Sequence, residues 1–230
     1  MTLEVCIDSY EGALLARSFG AKRVELCSAL SVGGLTPSIG LTGRCTEEIE
    51  VHAMLRNREG DFVYSPAEID IMLDDVDFLA KAGAGGIVFG CLTKAGEVDL
   101  KANALLIKEA KGLGLEATFH RAFDFCKDPK NSLESLIELG FNRILTSGNK
   151  TKAIDGIDLI RNLTEWSAGR IEIMAGSGVS ASNALKLAEA GVDALHFTSH
   201  KTVELKDTFG MGRKSIPDKE KIASITKLFQ

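Results

Sequence analysis

The chain has 230 residues, with 27 Lys and Arg against 32 Asp and Glu, a formal charge of −5. That acidic balance argues against a nucleic-acid partner, which would need a basic face to neutralise phosphate. With 45% hydrophobic and 26% charged residues, no bilayer-length apolar run and no N-terminal signal pattern, a globular cytoplasmic protein with no membrane partner is expected.

In chain order, one unit recurs: a short β-rich run, a polar loop, an amphipathic helix, then Gly and the next strand. Strands are expected over residues 3–8, 23–27, 51–56, 86–92, 116–121, 143–147, 170–175 and 194–198. Residues 38–50 hold few apolar positions, so the helix there is expected to be short or irregular. Ser65-Pro66-Ala67-Glu68 is a capping box with Pro at the first helical position. The 3.6-residue stripe of Ile69, Met72, Leu73, Val76 and Ala80 follows it. Asp128-Pro129 opens a helix with Leu133, Leu136 and Ile137 on its apolar face. After the last strand, Ser215-Ile216-Pro217 leads into a closing helix carrying Ile222, Ile225, Leu228 and Phe229. Strands alternating with helices imply parallel pairing, and eight units fit a single-domain (β/α)₈ TIM barrel over residues 1–230. A doubly wound open sheet is the alternative, but no GxGxxG follows the first strand.

In a barrel, alternate residues of a strand face the axis. Leu3, Val5 and Ile7 belong against helices, which turns Glu4, Cys6 and Asp8 inward. The same alternation turns Glu25 and Cys27, then His52, Met54 and Arg56, then Glu172 and Met174, then His196 and Thr198 toward the axis. Barrel interiors are ordinarily Val, Ile and Leu, so this polar interior is the least ordinary feature of the sequence. Satisfied ion pairs are the bland reading of Glu4, Glu25 and Glu172.

Thr118–Asp124 leaves a strand and releases His120, Arg121 and Asp124 within five positions, where α/β proteins build sites. His120 is the candidate general acid/base, with Asp61 or Asp124 orienting it, Arg56 and Arg121 holding an anionic group, and Glu25 a further catalytic candidate. Arg58 adds positive charge to the loop after the third strand. Gly176, Ser177 and Gly178 form a Gly-rich turn ahead of a helix and suggest an anion site that Ser199 would complete; a tight turn is the bland alternative. Five scattered cysteines (Cys6, Cys27, Cys45, Cys91 and Cys126) contain no CxxC pair, which speaks against a disulfide framework or zinc knuckle. Cys6 and Cys27 nonetheless share parity on adjacent strands. Their thiolates, with Met54 or His52 nearby, would suit Cu(I); inert burial is the ordinary alternative.

Taken together, Glu4-Val5-Cys6, residues 23–27 and 33–38, Arg56 with Gly60-Asp61-Phe62, Thr118–Asp124, and residues 143–148 and 174–179 resemble the CutC family, the so-called copper homeostasis proteins. The matching segments span nearly the whole chain, and the tail after Thr198 is shorter and more divergent. The resemblance implies a cytoplasmic TIM barrel, a homodimer or larger homo-oligomer, with Cu(I)-binding cysteines at Cys6 and Cys27. Two functions follow. One is Cu(I) binding in copper homeostasis. The other is an enzyme acting on a small phosphorylated or carboxylated metabolite.

Overall fold

The structure, a computed structural model, describes residues 1–203 and 214–230. Eight parallel strands close into a barrel in sequence order: β1 (Thr2–Ile7), β2 (Arg23–Leu26), β3 (Glu50–Met54), β4 (Gly86–Phe89), β5 (Glu116–Phe119), β6 (Arg143–Thr146), β7 (Glu172–Gly176) and β8 (Ala194–Thr198). β1 pairs with both β2 and β8, placing Glu4 beside Arg23 and His196, and Cys6 beside Glu25 and Thr198. The expected strands and their inward parity hold. Most strands end a residue or more before their expected C-terminal limit, because the chain turns into loops or 3₁₀ turns there.

The strands alternate with α1 (Tyr10–Ser18), α2 (Ile39–Thr46), α3 (Pro66–Lys81), α4 (Leu100–Gly112), α5 (Pro129–Leu139), α6 (Ile157–Ser167) and α7 (Ala184–Ala188). The helix expected to be short or irregular is α2, which has eight regular residues. The Ser38 hydroxyl accepts the Leu41 N–H and supplies the start signal that apolar periodicity lacks there. The capping box at Ser65 forms in full. Between strands and helices lies one apolar core that includes Val5, Leu26, Met72, Leu106, Phe119 and Phe197. After β8 the chain forms an antiparallel pair that the residue pattern does not announce, β9 (His200–Val203) with β10 (Lys214–Pro217), before α8 (Lys219–Thr226). Among the described residues no helix is long and apolar enough to cross a membrane.

The polar interior is arranged in two tiers. At the N-terminal end of the strands, Arg143 Nε donates to Glu172 at 2.5 Å, Nη2 to Glu116 at 3.1 Å, and Nη1 to the Thr118 hydroxyl at 3.0 Å. His52 lies against the same cluster, 3.1 Å from Glu50 and 3.5 Å from Arg143. His52 is therefore part of an ionic plug and not a companion of the cysteines. Deeper inside, Glu4 is fully buried between Arg23, whose Nε it binds, and His196, whose Nδ1 lies 2.9 Å from its Oε1. Glu4 and Glu172 thus take the bland reading of satisfied pairs. Glu25 does not: it has no cationic ion-pair partner among the described residues and its Oε2 has no hydrogen-bond partner.

Removing one member of a buried pair leaves the other charge uncompensated. Arg23→Met is expected to destabilise the fold by about 3–5 kcal/mol, measured by urea unfolding. A loss below about 1 kcal/mol, the range of exposed pairs, would show that Glu4 is held by His196 alone.

Candidate functional site at the C-terminal end of the barrel

The strands' C-terminal ends open into a cavity of about 1300 Å³. Cys6, Glu25 and His196 form its floor, and His120, Arg56 and Phe62 stand on its wall. Further out come Asp8, Lys94, Ser177, Gly178, His200 and Lys221. Each floor residue is the inward-facing member of its strand, carried from β1, β2 and β8, which are neighbours because the barrel closes between β8 and β1.

On the floor, Cys6 Sγ and Cys27 Sγ lie 3.5 and 3.4 Å from the same Glu25 oxygen, Oε1. The Cys27 thiol beside Cys6, together with the His196 imidazole, draws the Cys6 thiol down to about 5 against the opposing effect of burial. That same thiol contact, added to burial, pushes Cys27 well up. Burial raises the Glu25 carboxyl to about 8, with the His196 charge opposing. Burial disfavours an imidazolium at His196, yet Glu25, Cys6 and Glu4 outweigh it and raise its pKa. Glu4 is buried too, but its bond to His196 and the Arg23 charge hold it well below the carboxylate range. The result is a compact row in which Glu4 lies between Arg23 and His196, and His196 in turn favours the ionised form of the Cys6 thiol. Cys45, Cys91 and Cys126 lie elsewhere in the core, and burial raises all three thiols. All five cysteines are free.

Cys27 does not line the cavity. Gly34, at φ +91°, closes over it, and a Cβ there would stand 3.0 Å from Cys27 Sγ and 3.4 Å from Met54 Cε. Arg56 holds this loop in place. Its Nη1 donates to the Val32 and Gly34 carbonyls at 3.0 and 3.1 Å, and its Nη2 to the Gly60 carbonyl at 2.9 Å. The guanidinium also sits 5.1 Å from the Phe62 ring centroid, within cation–π reach. Arg56 is thus chiefly a clamp between the loops after β2 and β3, although its Nε is buried and unpartnered.

His120 packs against Phe62, with ring centroids 4.7 Å apart. Its Nδ1 accepts the Ala122 N–H at 3.2 Å, which puts the proton of the neutral ring on Nε2. That Nε2 is buried and unpartnered. Burial and the nearby Arg56 charge lower the His120 pKa to about 3, so at neutral pH the ring is a hydrogen-bond donor with no proton to spare as an acid. The expected orienting carboxylates are engaged by partners other than His120. Asp124 takes Arg121 Nε at 2.8 Å, the Thr146 hydroxyl at 2.6 Å and the backbone N–H groups of Ser147 and Asn149. Asp61 takes Arg58 and the Val63 N–H. Arg58 is spent on Asp61 and Glu68, and Arg121 on Asp124 and the Ser147 hydroxyl at 2.9 Å. These residues brace loops, each charge being met by a partner on the same or a neighbouring loop or at the start of the next helix.

The anion turn also reads differently in three dimensions. Ser177 and Gly178 line the cavity with φ +80° and +70°. However, the Ser177 hydroxyl donates to the Thr151 carbonyl at 2.7 Å, and the next helix, α7, begins only at Ala184 and is five residues long. The turn therefore does not run into a helix N-terminus. Ser199 is fully buried with an unpartnered Oγ and does not line the cavity. Gly176 is likewise enclosed, since a Cβ there would meet Leu145 Cδ1 at 2.5 Å. The alternation turns His196 inward, as expected, but the pattern does not name it as a site residue; its place on the strand adjoining β1 is what brings it beside Cys6 and Glu25.

Fold and site together define a closed (β/α)₈ barrel with a thiol-bearing, charged floor beneath a cavity at the strands' C-terminal ends. The chain belongs to the CutC family, whose family model matches residues 1–201. A family protein CutC from Pasteurella multocida (strain Pm70) is 47% identical over 201 residues, covering 86% of this chain and 82% of that protein. Another, from Histophilus somni (strain 2336), is 41% identical over 244 residues and covers both chains completely. The crystal structure of a Streptococcus agalactiae CutC, whose name ties it provisionally to copper homeostasis, matches with TM-score 0.81 at 34% identity. That match covers 86% of this chain and 98% of that one.

Because His120 is held neutral in the fold, the unfolded chain takes up its proton first as pH falls. Stability is therefore expected to drop between pH about 6.5 and about 3, by up to about 1.4 kcal/mol per pH unit from this residue. In His120→Gln this contribution disappears. The difference in unfolding free energy between wild type and variant should be constant above pH 7 and change only below it; a difference independent of pH would show that the ring is not held neutral.

Proposed function

We propose that the protein is an enzyme that binds a small anionic metabolite in the barrel cavity, with its chemistry at the floor. The observation that carries this reading is a pair of buried, unpartnered N–H donors, His120 Nε2 and Arg56 Nε, on residues of one cavity wall. Burying donors without acceptors is costly, and a ligand oxygen would remove that cost. Charge favours the same ligand. Arg56, Lys94 and Lys221 line the cavity without a carboxylate ion-pair partner among the described residues, whereas near the rim Asp61 is paired with Arg58 and Asp8 is bonded to His200, which leaves Glu25 on the floor as the acid without a cationic partner. His120 then acts as a neutral donor that polarises a ligand oxygen, as its lowered pKa supports. The floor thiolate, with the raised Glu25 carboxyl beside it, supplies a nucleophile or base and an acid.

A second reading, Cu(I) binding in copper handling, is favoured by one observation: Cys6, Cys27 and Met54 pack into one cluster. Two thiols and a thioether are the soft donors Cu(I) selects. Access argues against it, since Cys27 is sealed beneath Gly34 and exchange between carriers needs exposed sulfur.

Phosphorylated and carboxylated metabolites, titrated into the protein by calorimetry, are expected to include a ligand that His120→Phe weakens about 10- to 100-fold, the loss of one hydrogen bond to a charged group. Equal affinity in wild type and variant, or no ligand among anionic metabolites, would overturn this reading.

A further inference from the structure

On the cavity floor, one ligand atom each from Cys6, Glu25 and His196 lie within 4.8 Å of one another, and all three residues are buried. We infer that Cys6 Sγ, a Glu25 carboxylate oxygen and His196 Nε2 form a binding site for one borderline divalent cation of the zinc class, with its remaining position open to the cavity.

Three independent features support the assignment. The first is spacing. Zinc–ligand bonds of about 2.0–2.3 Å in a tetrahedron separate ligand atoms by roughly 3.5 Å, and Cys6 Sγ already lies 3.5 Å from Glu25 Oε1. The second is the orphaned acceptor: Glu25 Oε2 is buried with no hydrogen-bond partner, in a residue only 3% exposed. Nothing in the described protein explains why an unpartnered carboxylate oxygen is kept there. The third is the shell behind the ligands. His196 Nδ1 is engaged at 2.9 Å by Glu4 Oε1, and Arg23 holds the other Glu4 oxygen. A carboxylate that fixes the far nitrogen of a histidine, leaving Nε2 to coordinate, is the arrangement that orients metal-bound imidazoles.

Donor chemistry separates this site from a Cu(I) site. One sulfur, one carboxylate oxygen and one imidazole are a borderline set, which suits Zn²⁺ better than a monovalent soft ion. Cys27 stands outside the set and out of the cavity. Three protein ligands with an open face toward about 1300 Å³ of cavity also mark a catalytic rather than a structural zinc geometry. The assignment rests on the proposed enzyme reading and on the same cavity, and with the ion bound Cys6 and Glu25 serve as its deprotonated ligands in place of nucleophile and acid. In that setting the ion would polarise an oxygen of the anionic ligand as a Lewis acid. Its test needs no metabolite, so failure of one reading is visible without failure of the other.

The experiment is an anaerobic Co²⁺ titration of the reduced, metal-stripped full chain, followed by displacement with Zn²⁺. One equivalent per chain is expected to bring up a thiolate-to-cobalt charge-transfer band and the visible bands of a four-coordinate ion. Zn²⁺ should abolish both. Glu25→Gln and His196→Asn should lose the band, Glu4→Gln should weaken binding about 10- to 100-fold, and Cys27→Ser should retain it. Circular dichroism checks the fold of each variant. Should the ligand variants fail to fold, protection of Cys6 from iodoacetamide by Zn²⁺ in Cys27→Ser, read by peptide mapping, decides the same question. Absence of the band in folded wild type overturns the assignment, as does a band lost in Cys27→Ser but kept in Glu25→Gln, the pattern of a two-thiolate site. Absence of Zn²⁺ protection does so equally.

Discussion

The ion chain Arg23–Glu4–His196 is the constraint around which this barrel is organised. A carboxylate with no exposure to water persists in a protein interior only when cations and hydrogen bonds surround it, and here Arg23 from β2 and His196 from β8 approach Glu4 of β1 from both sides. That requirement ties together three adjacent strands at the point where the barrel closes. It also determines what lies above. Held by Glu4, His196 has one ring nitrogen committed, and its charge helps draw down the Cys6 thiol on the cavity floor. A stability device in the barrel's middle tier thereby becomes the electrostatic support of its reactive tier.

The two tiers divide the interior charges by purpose. At the N-terminal end, Arg143 gathers Glu116, Glu172 and Thr118 into a plug in which every polar group has a partner. At the C-terminal end, unpartnered atoms accumulate instead: Glu25 Oε2, His120 Nε2 and Arg56 Nε. Unsatisfied buried polar groups are uncommon in native proteins. The gathering of these three on residues lining one cavity is what separates a site from a merely polar core. It also fits the rule that barrels keep stability at one face and chemistry at the other.

The fold was legible because alternation along β1, β2 and β8 allows only one facing: with Val5, Leu26 and Phe197 committed to helices, Cys6, Glu25 and His196 had to point inward. The site was legible in part. His120, Glu25 and Arg56 line the cavity as the pattern implied, whereas Asp124 does not, and Asp61 and Arg121, though on the lining, are taken up by loop partners. Sequence carries no sign of that choice, because it depends on which backbone N–H groups the fold leaves open, such as those of Ser147 and Asn149 that Asp124 accepts. The pairing of β9 with β10 was invisible for a similar reason. Two short polar segments with little alternation give no strand signal until they meet.

Arg56 joins the loops that follow β2 and β3, holding the first at Val32 and Gly34 and the second at Gly60. A single guanidinium serving both makes their motions mutually dependent. Neither loop can lift without releasing a donor that the other then holds alone, so the cover over Cys27 and the rim beside Phe62 should breathe together, exchanging their amide hydrogens at matched rates. A ligand oxygen taken by the free Nε would leave those carbonyl bonds in place, so that filling the cavity would steady both loops at once.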